Sequence, residues 1–310
     1  TWQVSHLLMS IEYAWRRMEN VDYGAGSLGC GEFIPLDEHD ATLNIVQLIE
    51  HQVRTAAKKG PARRDAHPKA HGCVQAEFRV LDNLPPTLRS GLFSTPRTYQ
   101  AWIRFSNGSE KPQRDEVGDG RGMAIKLVGV EDSPSTTQDF LMINHPAFFV
   151  RNAADYVDFQ AAVSRSSLWR FFIPSFNPFR LRLHEAWVAF SITRHKVANP
   201  LSSRYWSMTP YRFGDRECKY SARPFGPESP YSATEQPNFL KHNLASHLAS
   251  HEAAFDFMVQ LRTSPDEMPI EDPTITWDEN DAPFIPVALI TIPKQWDGPL
   301  LTHRHQCARL

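Results

Sequence analysis

The sequence predicts an α+β protein built on an antiparallel β-barrel of eight strands, with flanking helices and long loops. Short segments alternate apolar and polar residues with period two, which is typical of half-buried strands. These segments are spread along the chain, without the regular strand–helix alternation of a doubly wound sheet. One late segment, 285–292, is apolar on both faces and is predicted as a buried strand. Antiparallel alternation with irregular insertions favours a closed barrel.

Composition excludes several function classes. The chain has 310 residues, enough for one large domain or two small ones, and its formal net charge of −2 provides no broad basic field for nucleic acid. No apolar run is long enough to span a membrane. The start, Thr1-Trp2-Gln3, lacks both an initiator Met and a signal pattern, so we expect a fragment or a processed chain.

The first 60 residues predict an arm followed by one helix. A Gly-rich patch at 24–31 is interpreted as a loop. Asp40 is the predicted cap of a helix that ends at the KKGP of 58–61. The apolar residues at helical spacing behind that cap are Leu43, Val46, Ile49 and Val53.

The barrel strands are predicted from the same alternation. In segment 73–81 the apolar set is Val74, Ala76, Phe78 and Val80. Further strands are predicted at 99–106, 122–129, 139–143, 205–213, 217–223, 255–261 and 285–292. Helices are predicted at 155–163, 183–193 and 240–252, with an aromatic-rich stretch at 164–200 and a Pro-rich loop that ends at Pro237.

Two short stretches carry the chemistry. Residues 64–69 read RDAHPK and residues 104–107 read RFSN. At the mouths of two neighbouring strands they would place one imidazole, one hydroxyl and two guanidiniums together. This set suits a flat anionic cofactor with a proton-transferring base above it.

Four stretches in this order resemble the haem catalase superfamily: RDAHPK at 64–69, WIRFS at 102–106, DGRGMAIK at 119–126 and DFLMINHPAFFVR at 139–151. The MPIEDP of 268–273, with Trp277 and Glu279, further resembles its branch of small catalase-like haem peroxidases. The similarity covers roughly 60–295. It implies a catalase-like barrel domain at 61–295, after the 1–60 arm and helix and before an atypical tail at 296–310. It also implies haem b with its iron as cofactor, and decomposition or use of hydrogen peroxide or an organic hydroperoxide.

The resemblance assigns three catalytic roles. His67 would be the distal base that activates the peroxide, Ser106 would fix its tautomer, and Asn144 would orient the peroxide. His71 is a rival for the base, because this chain carries one residue more than catalases do between His67 and Phe78. An ungapped alignment places the catalase Asn at Ile143, and a one-residue slip on a strand reverses the side-chain face.

The resemblance also assigns the cofactor pocket. Arg64 and Arg104 would pair with the haem propionates. The predicted pocket wall is aromatic: Phe148, Phe149 and Tyr156. Ala66 stands where catalases have Val beside the His, and we therefore expect room for an organic hydroperoxide.

The family supplies its iron ligand as a Tyr in an Arg-x-x-x-Tyr pattern on a C-terminal helix, and no such pattern follows Tyr231, the last Tyr in the sequence. The tail carries a THRH that resembles the residues following that Tyr. Either the chain is truncated or mis-spliced, which we favour, or His303, His305 or Cys307 replaces the Tyr. No metal ligand is therefore identified.

Other interpretations stay open. A barrel that lacks haem would only bind ligands or partners, and related barrels rearrange organic hydroperoxides. A homo-oligomer is left open as well. The scattered Cys30, Cys73, Cys218 and Cys307 argue against a disulfide scaffold and weakly favour an intracellular compartment. A helix face bearing His242, His247 and His251 could bind a metal, but a solvated face is the expected interpretation.

Overall fold

A ring of eight antiparallel strands forms the centre of the computed structural model, which describes residues 31–131, 136–165, 167–173, 181–226, 232–234 and 236–295. The described ranges contain nine strands, eight of which form the ring. They are β1 (Ala70–Val80), β2 (Thr98–Asn107), β3 (Arg121–Val128), β4 (Thr137–Ile143), β5 (Tyr205–Trp206), β6 (Tyr211–Phe213), β7 (Arg216–Phe225), β8 (Ala253–Leu261) and β9 (Ile285–Ile292). Their order is β5-β4-β3-β2-β1-β9-β8-β7, and a pairing of β5 with β7 closes the ring. Strand β6 pairs with β7 alone, outside the ring. The predicted closed antiparallel barrel is therefore confirmed.

The helices lie around this ring. They are α1 (Glu38–Ala57), α2 (Ala153–Ser164), α3 (Trp169–Phe172), α4 (Leu183–Arg194) and α5 (Phe239–Ser250). The expected cap at Asp40 is wrong, because α1 begins at Glu38 and Asp40 lies inside its first turn. An acidic side chain there still interacts favourably with the helix dipole.

The barrel interior is a packed aromatic core. The Phe78 and Phe257 ring centroids lie 5.0 Å apart, and those of Phe140 and Phe257 lie 4.8 Å apart. An eight-stranded barrel has an interior just wide enough for side chains to fill. We infer that a flat cofactor would lie outside the ring, on the outer face of the strands.

The period-two pattern decides what that outer face carries. On β2, Ile103 and Phe105 belong to the core, so Arg104 and Ser106 point the other way. On β3, Met123 belongs to the core, and Gly122 faces outward beside Ser106, with which it is paired. The RFSN motif thus delivers its guanidinium and its hydroxyl to the same outer surface.

A β-bulge at the start of β1 accommodates one extra residue. Ala70 pairs with Ser106 and Gly72 pairs with Phe105, so His71 has no partner position on β2. A bulge of this kind lets two residues of one strand oppose one of the other without shifting the register beyond it.

The predicted strand at 205–213 is divided into β5 and β6, with Met208 at φ 62° between them. Cys73 is disulfide-bonded and Cys218 is a free buried thiol, which corrects the expectation from the scattered cysteines at Cys73. The boundaries at 60/61 and 295/296 stay predictions, and residues 24–30, Tyr231 and the 296–310 tail lie outside the described residues. No helix in the described ranges is long and apolar enough to cross a membrane.

Candidate active site

His67 is held by three hydrogen bonds. Its Nδ1 lies 3.0 Å from Ser106 Oγ, and its backbone amide donates to the Gly108 carbonyl at 3.3 Å. Arg104 Nη2 donates to the His67 carbonyl at 2.6 Å. The backbone has φ 58°, a left-handed conformation that is uncommon for a residue other than glycine. Such a conformation persists where surrounding contacts over-determine it, and it is found most often at functional sites.

Gly122 forms the surface against which this imidazole rests. A Cβ at Gly122 would lie 2.7 Å from both Cε1 and Nδ1 of His67, and 2.9 Å from Ser106 Oγ. Real Cβ atoms essentially never approach other heavy atoms under 3.0 Å. Only glycine leaves space for the imidazole at this position on β3.

The imidazole of His67 is neutral at neutral pH. Burial, followed by the positive charges of Arg104 and Arg64, lowers its pKa to about 4. A neutral imidazole can accept a proton, which is the property required of a general base.

Arg64 and Arg104 form a pair of like charges beside His67. Burial and, secondly, the charge of Arg64 lower the pKa of Arg104 to about 10, and burial lowers the pKa of Arg64. Arg104 is only 6% exposed. An anionic group bound between the two guanidiniums would relieve their repulsion.

Asn144 does not hydrogen-bond to His67 or Ser106 in the described part of the chain. Its Oδ1 accepts from the Arg121 amide at 2.6 Å, and its own amide donates to the Arg121 carbonyl at 3.0 Å. Ile143 pairs directly with Gly122, so its side chain lies on the sheet face that His67 covers. The role of Asn144 as the residue that orients peroxide stays a prediction.

The three aromatic residues expected to form the pocket wall do lie together. The Phe148 ring centroid is 4.8 Å from that of Phe149 and 6.3 Å from that of Tyr156. The Tyr156 hydroxyl accepts from Gln160 Nε2 at 2.9 Å. Burial raises the pKa of Tyr156, and the charges of Asp65 and Glu110 raise it further, which places this wall next to the 64–69 loop.

His71 occupies a different environment. It is 1% exposed, and its Nε2 lies 2.7 Å from Asn107 Oδ1. Asp115 lies beside it, with Oδ1 3.9 Å from His71 Nδ1. Burial lowers the pKa of His71 to about 4. The two histidines are therefore separated: His67 contacts the outer face of β2 and β3, and His71 is enclosed by polar side chains.

Those polar side chains are a group that the sequence reasoning missed. Asp115 accepts from Lys69 Nζ at 2.5 Å and from the Leu240 amide at 2.9 Å, at the start of α5. Arg121 donates to the Asn107 side-chain oxygen and, at 2.8 Å, to the Asp115 carbonyl. Lys69, Asn107 and Arg121 all lie in or beside the quoted motifs, which was the available signal. We call Lys69, His71, Asn107, Asp115 and Arg121 the buried polar network.

Two carboxyl groups near Tyr156 were also missed. Burial and the nearby Asp65 raise the pKa of Glu110 to about 7, and burial raises the pKa of Asp65. No pattern in the sequence brings these two residues together.

The predicted decoy helix is α5. The His247 and His251 rings lie 5.5 Å apart, and in the described ranges no group of three or more His, Cys, Asp or Glu residues could hold a metal ion. The substitute iron ligands His303, His305 and Cys307 lie outside the described residues.

Comparison with known proteins gives one family match and several solved structures of similar fold. A family model described as Catalase matches residues 37–179, a range that includes His67, Arg104, Ser106 and Gly122. This match covers 143 of the 310 residues, a little under half of the chain. A search of curated proteins finds no match.

Solved catalases share the fold at low identity. Catalase A from Saccharomyces cerevisiae matches with a TM-score of 0.61 at 18% identity, over 90% of this chain and 60% of that one. A fungal catalase matches with a TM-score of 0.60 at 17% identity, over 90% and 58% of the two chains. A bacterial catalase gives 0.61 at 17% identity, over 89% and 55%. The chain therefore spans less than two thirds of each of these solved catalases.

Proposed function

We propose that this chain is a haem-dependent oxidoreductase that decomposes or uses peroxides, with His67 as the distal base. The observation that carries the proposal is a half-buried neutral imidazole, held by Ser106 and flanked by two guanidiniums, on the outer face of a catalase-like barrel. Composition offers no competing interpretation as a nucleic-acid protein.

The residues present fit the distal side of a haem. The mutual repulsion of Arg64 and Arg104 suits two propionate carboxylates, since planar guanidiniums bind carboxylates with matched geometry. The cluster of Phe148, Phe149 and Tyr156 suits an apolar ring. When bound, haem supplies an iron that coordinates the peroxide and the electrons that cleave its O–O bond.

His67 would move one proton between the two peroxide oxygens. Its Nε2 takes the proton from the oxygen that approaches the cofactor and returns it to the other oxygen, which leaves as water. This role requires the imidazole proton on Nδ1, where Ser106 Oγ accepts it. Ser106 therefore fixes the tautomer that leaves Nε2 free.

An absorption spectrum after addition of hemin, followed by an oxygen-evolution assay with hydrogen peroxide, tests the proposal. We expect a Soret band that survives gel filtration. We also expect turnover that is lost in His67→Ala and retained in His71→Ala and in the exposed control His51→Ala. Loss of the Soret band on gel filtration would refute the catalytic proposal and favour a barrel that only binds ligands or partners.

The substrate is proposed to include organic hydroperoxides, because small and apolar side chains border His67. Ala66 is its chain neighbour, and Ile143 lies on the sheet face that it covers. In Ala66→Val we expect the rate with a bulky hydroperoxide to fall relative to the rate with hydrogen peroxide. An unchanged ratio of the two rates would contradict this choice of substrate.

A further inference from the structure

One segment of the chain combines strong positive charge with many aromatic residues, and the proposed reaction uses neither property. Between residues 165 and 196 the sequence has six Lys or Arg and one Asp or Glu, a net charge of +5 with His neutral, although the whole chain has −2. The same 32 residues contain seven Phe or Trp. The helices α3 and α4 belong to this segment.

Large apolar side chains of these helices face the solvent. Leu183, Trp187 and Phe190 are 69%, 62% and 52% exposed and lie at spacings of four and three, so they form one stripe along α4. The opposite face of α4 is packed, since Val188 and Ile192 form a cluster with Ile143 and Ala147. The stripe is therefore a second apolar face on a helix whose first is already buried.

The short helix α3 extends this surface. Leu168 and Trp169 are exposed there, and Ile173 follows directly after the helix and is exposed too. The Arg182 amide, just before α4, donates to the Phe172 carbonyl at 3.0 Å, and the Arg182 guanidinium lies 4.4 Å from the Phe171 ring centroid. These contacts join the ends of α3 and α4. We call the exposed apolar residues of α3 and α4, with Ile173 and the guanidiniums of Arg170 and Arg194, the aromatic-basic patch.

The arginines of the patch can bind an external anion, because Glu185, the acidic residue of this segment, pairs with an arginine outside the patch. Glu185 is buried, and Arg151 pairs with it at 3.3 Å. By contrast, the guanidinium carbons of Arg170 and Arg194 lie 5.4 Å from the ring centroids of Trp169 and Phe190. Each cation thus stands directly beside an exposed aromatic ring.

We propose that the aromatic-basic patch binds the surface of a membrane that contains anionic lipids. Exposed Trp, Phe and Leu on a helix face can enter the boundary between headgroups and acyl chains, while neighbouring Arg side chains reach anionic headgroups. The stripe on α4 is a projecting face, and nearly half of the exposed large apolar side chains of the described chain lie in this one segment. An apolar face rimmed by cations fits such a surface better than it fits a second copy of itself, which would bring like charges together.

Vesicle flotation tests the proposal with the full chain. The probes are vesicles of phosphatidylcholine alone and of phosphatidylcholine with added phosphatidylglycerol. We expect flotation with the anionic vesicles only, weakened by added salt. The double variant Trp187→Ser/Phe190→Ser should bind at least about tenfold more weakly, and Arg194→Glu about fivefold more weakly. Leu141→Ser/Phe225→Ser and Arg79→Glu change exposed residues of the same kinds elsewhere and should bind like the parent chain.

Three outcomes would overturn it. The first is no flotation with either vesicle. The second is flotation that depends on the arginines but is indifferent to the apolar pair, which would indicate an acidic macromolecule instead of a lipid surface. The third is self-association in sedimentation velocity that the apolar double variant abolishes without any vesicle binding by the parent chain. None of these outcomes depends on haem or peroxide, so the inference stands or fails apart from the proposed function.

Discussion

The imidazole of His67 is positioned by contacts to the ring and to the backbone of its own residue. The Gly108 carbonyl binds its amide, Arg104 binds its carbonyl, and the bare backbone of Gly122 supports its ring. Ser106 supplies a side-chain hydrogen bond to the ring, at Nδ1. An arrangement of this kind is pre-organised before any ligand arrives, and catalysis depends on such pre-organisation.

Gly122→Ala should therefore reduce the proposed activity strongly. The added Cβ would displace the imidazole or the Ser106 hydroxyl, and a displacement of about 1 Å can cost about 100-fold in rate. Destabilisation should be about 1–3 kcal/mol, the usual cost of overpacking. Measurement of kcat/KM and of thermal unfolding checks both effects, with Gly60→Ala as the control because nothing lies within 4 Å of the Cβ that it would add. Full activity in Gly122→Ala would show that the imidazole does not need its observed position.

The pH dependence of activity should reflect the environment of His67. Because its pKa is lowered to about 4, the base stays unprotonated at higher pH, and the acid limb of kcat/KM should lie near pH 4 instead of near 6.5. Removing a neighbouring cation favours the protonated form, so Arg64→Gln should shift the limb upward. Arg63→Gln, a change at an exposed neighbour, should leave it in place. A limb near pH 6.5 in the parent chain would contradict the burial of this base.

The β-bulge at the start of β1 explains why His67 faces outward while His71, four residues later, is buried. The bulge at Ala70 and Gly72 takes up the extra residue, so β1 keeps its register with β2 from Gly72 onward. The side chain of the bulged residue, His71, is enclosed by the buried polar network. The rivalry between the two histidines is thus a consequence of one inserted residue.

The strands were predictable from the sequence, because each places its apolar residues in one core with period two. The segment 285–292 has the bounds of β9, and 73–81 differs from β1 only at its ends. The break between β5 and β6 was not predictable, because the turn at Met208 has no Gly or Pro at its positive-φ position. The sequence pattern also could not predict the contacts of Asp115, because its partners Lys69 and Leu240 lie 46 and 125 residues away in the chain. The motifs predicted the pair of His67 and Ser106 because the resemblance supplied a long-range pairing that periodicity lacks.

Asp115 should prove more important for stability than for the proposed chemistry. Its carboxylate binds Lys69 and the first turn of α5, so Asp115→Asn leaves a largely buried ammonium without its partner charge. Breaking one side of such a pair costs about 3–5 kcal/mol. Urea unfolding should show this loss, and Lys69→Met in the same chain should restore part of it. The exposed control Asp82→Asn should be neutral, and a neutral Asp115→Asn would refute the structural role of the network.

Across the whole molecule, the stability of the barrel is coupled to pH through the half-buried His67 and the buried His71. His67 and His71 both have a pKa of about 4 in the folded chain and about 6.5 when unfolded, so the folded state binds fewer protons between these values. Stability is therefore unaffected by these groups above pH 6.5 and falls as the pH decreases toward 4. Glu110 acts in the opposite direction between pH 7 and 4.5, since its pKa is raised to about 7, but its carboxyl is partly exposed and solvent weakens the effect.

The free energy of unfolding, measured in urea between pH 7 and 4.5, should therefore decrease with a slope approaching about 2.7 kcal/mol per pH unit, the value for two protons. His71→Gln removes one of the two titrating groups and should reduce the slope to about 1.4 kcal/mol per pH unit, whatever its effect on stability at pH 7. The control His51→Gln, at an exposed position on α1, should leave the slope unchanged. A parent chain whose stability is flat across this range would mean that His67 and His71 take up protons in the folded state, and the polar enclosure of His71 would then have to open well above pH 4.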